Sequence, residues 1–88
     1  MSISNNKSIS GGVVHTVPAD LAKALSVPKI CGEWNNLTPL GRNEWICWVT
    51  SVKKKETREN HIGRVCAEIL EGKRRPCCWA GCPHRGDN

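Results

Sequence analysis

The densest chemistry in this 88-residue chain lies near its C-terminal end, in Cys77-Cys78-Trp79-Ala80-Gly81-Cys82-Pro83-His84-Arg85. Thiolate and imidazole are the ligands tetrahedral zinc prefers, and turn-type zinc sites draw two ligands from one short turn. Cys78 and Cys82 are separated by three residues, and Gly81 and Pro83 suit the backbone reversal such a turn needs. His84 is placed to be a third ligand. The fourth is Cys77, or else Cys47 or His61 from the body of the chain, since adjacent residues rarely both point at one ion. A zinc site on Cys77, Cys78, Cys82 and His84 would tie the C-terminus down and add folding free energy. Two other readings compete with it. One is a tail of reduced thiols with Trp79 packed against the rest of the protein. The other is a redox role, in which neighbouring thiols form a reversible disulfide, although the two-residue spacing of common dithiols is missing.

A second group is basic. Between Lys53 and Arg75 stand eight Lys or Arg against four Glu. Lys53, Lys54, Lys55 and Arg58 gather at one end of this stretch, and Lys73, Arg74 and Arg75 at the other. These seven are the candidate contacts to an anion or nucleic acid, which binds best along a continuous basic stripe. The competing reading is that each cluster only complements the negative end of a helix that has just finished.

Catalytic signals are weak. Cys and His can pair as nucleophile and base, yet His15, His61 and His84 have no neighbouring Asp or Asn that suggests an orienting partner. No Gly-rich phosphate loop, paired-acid motif or HExxH-type motif is present. The expectation is a protein that is not an enzyme.

The whole chain must be one domain at this length. With 39% apolar residues, a formal charge of +5 and neither Phe nor Tyr, its core rests heavily on four Trp. A stretch from Met1 to Ser10 rich in Ser and Asn has no apolar run of signal-peptide length. No segment approaches the ~20 apolar residues of a membrane helix. Both point to a cytoplasmic protein whose six Cys are reduced.

The elements that position these groups read as helices. Residues 1–15 carry no periodicity, end in Gly11-Gly12 and then His15, and are expected to be a flexible tail. A helical domain over 16–76 opens with Thr16-Val17-Pro18-Ala19-Asp20, which suits a helix start, and Leu21, Ala22 and Leu25 share a face. Pro28 breaks that run. A short helix from Lys29 to about Asn36 aligns Ile30, Trp34 and Leu37. Thr38-Pro39 is a cap followed by a first-turn proline, predicting a third helix to about Val52, with Leu40, Trp45, Trp48, Val49 and Val52 on its apolar side and Ile46 beside it. The fourth, Glu56 to Glu71 with Gly72 behind it, carries the clearest stripe: Ile62, Val65, Cys66, Ile69 and Leu70. Residues 77–88 form an irregular Cys/His-rich tail.

Two stretches carry a family resemblance: Arg42-Asn43-Glu44-Trp45-Ile46-Cys47-Trp48-Val49 continuing through Lys53-Lys54-Lys55-Glu56-Thr57-Arg58 to Ile62, and Leu70-Glu71-Gly72-Lys73-Arg74-Arg75-Pro76. With Pro18-Ala19-Asp20-Leu21, they resemble the helical region of the YdeI/OmpD-associated, or bacteriocin-protection, family, in a short form with a Cys-rich C-terminal tail. The resemblance implies a role in resistance to bacteriocins and cationic antimicrobial peptides, and it brings no catalytic residue set. The reading is therefore an all-α bundle of three to four helices. Its expected function is non-enzymatic binding or stress protection, with an unknown protein or anionic partner. The alternatives are a small basic zinc-containing nucleic-acid-binding domain and a thiol redox protein.

Overall fold

Prolines open two of the four helices in the computed structural model, which describes residues 9–76. The helices are α1 (Ala19–Leu25), α2 (Pro28–Asn35), α3 (Pro39–Thr50) and α4 (Lys55–Leu70), and no strand occurs among the described residues. The expected all-α bundle is thus the fold. Pro28 and Pro39 sit at helix starts, where their missing N–H is no loss and their fixed φ is already helical. Thr38 caps α3 as its position suggests, its hydroxyl accepting from the Gly41 N–H at 3.0 Å. At the other end of the bundle, α4 stops at a Schellman turn. Gly72 takes φ 97°, its N–H donates to the Ile69 carbonyl, and the Lys73 N–H donates to that of Glu68.

α4 is the hub, packing against α1, α2 and α3, while α1 also packs on α2. Its stripe does this through Ile62, Val65 and Ile69, all buried. Each such side chain contributes about 1.5–3 kcal/mol when fully removed from water. Leu21 and Leu25 of α1, Trp34 of α2, Leu37 and Trp45, Ile46, Trp48 and Val49 of α3 complete the core. Four expected core residues, Ile30, Leu40, Val52 and Cys66, are only half-buried, and Leu70 is 43% exposed. Leu70 is the last residue of α4, just before the Schellman turn.

α3 differs from the expected two-sided rod. Residues 41–49 are all buried, Arg42, Asn43 and Glu44 included. The chain wraps this helix from several directions. After α4, the backbone crosses α3 at Gly41, where a Cβ would lie 3.2 Å from the Arg74 carbonyl oxygen. Trp45 Nε1 donates to that same carbonyl at 3.1 Å. Gly41 is therefore the space through which residues 74–76 pass.

The N-terminal segment, from Ile9 to His15, wraps α3 from elsewhere. Ile9 packs on the core, and Ser10, Gly11, Val14 and His15 are hydrogen-bonded to α2 and α3. The sequence carries no periodic signal here because the bonds use main-chain atoms, which every residue has.

Candidate functional site

The anion-binding candidates divide into three situations. Lys53, Lys54 and Lys55 are exposed, as are Lys73, Arg74 and Arg75. Arg58 is committed to Asp20 in α1, Nε to Oδ2 at 2.7 Å and Nη2 to Oδ1 at 3.0 Å. That pairing holds the Asp20 carboxyl below its usual range and raises the Arg58 guanidinium, in both cases chiefly through the shared hydrogen bonds. The two clusters stand at opposite ends of the sixteen-residue α4, about 24 Å of helix apart. They do not form one continuous stripe.

The first cluster also sits differently from its expected place. α3 ends at Thr50 with Ser51 as its cap residue, so Lys53–Lys55 lie beyond it. Lys54 is the N-cap of α4 and Lys55 its first residue, with no side-chain cap there. Cations at the positive end of a helix are opposed by its dipole and by each other. The second cluster borders a cleft of about 360 Å3, where Lys73 and Arg74 face Glu33, Asn36, Leu37 and Ile69.

The expected metal ligands Cys77, Cys78, Cys82 and His84 lie outside the described residues. Among the described residues, no group of three or more His, Cys, Asp or Glu is placed to hold a metal ion. Cys47 is buried in α3. His61 stacks on Trp48, centroids 3.9 Å apart, with Nδ1 3.2 Å from the Trp48 carbonyl oxygen. Arg64 covers the same indole at 5.2 Å and pairs with Glu68 at 3.0 Å. Glu68, expected on the solvent side, is buried beneath this arrangement. Cys66 donates to the Ala24 carbonyl at 3.7 Å, and burial pushes its thiol pKa up, away from thiolate chemistry.

A polar site that spacing did not announce lies where α2 meets α3. Asn43 Oδ1 accepts from the N–H groups of Val14 and His15 at 2.9 and 2.8 Å. Arg42 Nε donates to the Gly11 carbonyl at 2.8 Å, while its Nη1 is held by the carbonyls of Leu37 and Asn35 at the end of α2. Trp34 Nε1 donates to the Ser10 carbonyl at 2.8 Å, and Asn35 Oδ1 accepts the Ser10 N–H at 3.0 Å. The available signal was the run Arg42-Asn43-Glu44 set directly before the Trp-rich part of α3.

These features define a small helical protein with a polar α2–α3 junction and two exposed basic clusters. The family described as bacteriocin-protection, YdeI or OmpD-associated matches residues 15–72, which take in all four helices. The chain belongs to that family. No curated protein and no solved structure matches it. No helix among the described residues is long and apolar enough to cross a membrane.

Proposed function

We propose that this chain is a non-catalytic binding protein that contributes to protection against bacteriocins or cationic antimicrobial peptides by engaging an anionic partner. Membership of the bacteriocin-protection family supports the protective half of this reading. The observation that carries the binding half is the exposed run Lys53–Lys55 at the uncapped N-terminal end of α4. Three cations there repel one another and oppose the helix dipole, and an anion relieves both. A cationic peptide would be repelled by the same surface, so the partner is the anionic component that such peptides also seek. Nucleic acid is one member of that class. The separation of the two basic clusters favours a compact anionic site over a long duplex.

The test is survival of a strain lacking the chain, challenged with bacteriocins and cationic peptides and complemented in turn by wild type and by K53E/K54E/K55E. Restored survival with wild type and its loss with the folded triple variant is the expected result. Equal protection by both would overturn the anionic-partner reading. No protection by either would overturn the protective role.

A further inference from the structure

We infer that the junction of α2 and α3 is a peptide-binding groove that reads main chain, now filled by the protein's own residues 10–15, and that its external ligand is a glycine-bearing peptide turn like the one those residues form, in which the Gly12 N–H donates to the His15 carbonyl at 2.9 Å. The five bonds that Trp34, Asn35, Arg42 and Asn43 make to this segment all end on its backbone N–H or carbonyl groups. Backbone groups are common to every polypeptide, so this pattern admits sequences other than the chain's own.

Shape adds one requirement. A Cβ on Gly12 would stand 2.5 Å from both Cα and Cβ of Asn43. One of those atoms is backbone, so no rotamer change makes room. The groove therefore selects glycine at this register and little else. The side chains of Val13 and Val14 turn toward solvent, 59% and 47% exposed.

The internal segment is also an incomplete occupant. Asn43 is fully buried, and its Nδ2 has no hydrogen-bond partner although Oδ1 takes two. A buried amide donor left unmatched is unfavourable. A ligand that sets a carbonyl against Nδ2 gains what residues 10–15 do not supply. Two of the Arg42 bonds, to the carbonyls of Leu37 and Asn35, do not involve the segment and hold the guanidinium independently of it. This site is distinct from the cations of Lys53–Lys55, and its test is independent of theirs.

The probe is a fluorescent heptapeptide with the sequence of residues 10–16, Ser-Gly-Gly-Val-Val-His-Thr, titrated into the full chain. In wild type the tethered segment competes at an effective concentration on the order of millimolar. Gly12→Val should expel that competitor and lower the peptide's apparent Kd by about tenfold or more. A peptide with Ala at its second Gly should not bind, and Asn43→Leu in the Gly12→Val background should abolish binding. Circular dichroism establishes that each variant keeps its helices. If Gly12→Val does not fold, wild type with excess peptide is followed by the Trp34 indole N–H resonance, which must shift. A folded Gly12→Val chain that ignores the peptide, a motionless Trp34 signal, or equal binding of the Ala peptide would each overturn the inference. A wild-type dimer abolished by Gly12→Val would overturn it too, by making a second copy the occupant.

Discussion

Arg58 holds Asp20 across the bundle with two near-parallel hydrogen bonds, joining the first turn of α4 to the first turn of α1. The pair is half open to solvent, with side-chain exposures of 30% and 47%. Screening by water and salt keeps its coupling to about 1 kcal/mol or less, despite the paired geometry. A double-mutant cycle of Asp20→Asn and Arg58→Met, read by urea unfolding, should return that value and less at high salt. The pH dependence has a definite sign. The folded-state pKa of Asp20 is depressed, so the contribution is present above the ordinary aspartate value and disappears as pH falls from about 4 through the lowered one. Asp20→Asn should flatten that part of the acid limb.

Ile69 and Leu70 are neighbours in α4 with opposite fates, 2% and 43% exposed. Ile69→Ala opens a cavity in the core cluster and should cost about 2–5 kcal/mol. Leu70→Ala removes a side chain that water already reaches and should change stability by about 0.5 kcal/mol or less. Equal losses for both would mean that the end of α4 packs differently.

The contrast marks how far the sequence could be read. α4 is legible because one face packs and the other meets water, so Ile62, Val65 and Ile69 announce themselves by period. α3 is not, because chain arrives from several sides and buries Cys47, Asn43 and Glu44 along with Trp45 and Val49. Periodicity reports a single interface and is silent when a helix is surrounded. Leu40 and Val52 were placed in the core by that same reasoning and lie only half-buried near the ends of α3. The basic clusters could be found by composition, but Arg58 could not be separated from the lysines before Asp20 was seen opposite it, 38 residues away. The backbone-reading side chains Trp34, Arg42 and Asn43 leave no periodic mark, since what they bind has no side-chain identity.

Gly41 offers a test in which propensity and packing disagree. Replacing a helical Gly with Ala ordinarily stabilises by about 1 kcal/mol. Here the new Cβ would meet both the Arg74 carbonyl oxygen and Thr38 Oγ1 at 3.2 Å. The first is backbone that also serves Trp45, and the second is the cap of the same helix. Gly41→Ala should therefore lower the melting temperature, with a change in Trp45 fluorescence as residues 74–76 lift from α3. Thr38→Ala, which removes only the cap, should cost about 1 kcal/mol without that fluorescence change.

The state of each cation predicts which ones govern anion binding. With short single-stranded DNA as a generic polyanion, every phosphate neutralised contributes about −0.7 to the slope of log K against log salt. Lys53, Lys54 and Lys55 are exposed and make no ion pair among the described residues. K53E/K54E/K55E should therefore flatten the slope by about 2. Arg58 brings its charge already matched by Asp20. Arg58→Met should leave the slope nearly unchanged, measured at a temperature where the variant is fully folded, even though it removes one positive charge from the same end of α4. A slope that falls as much for Arg58→Met as for a single lysine would show the Asp20 pair opening to the ligand. It would also move the anion site one turn further along α4.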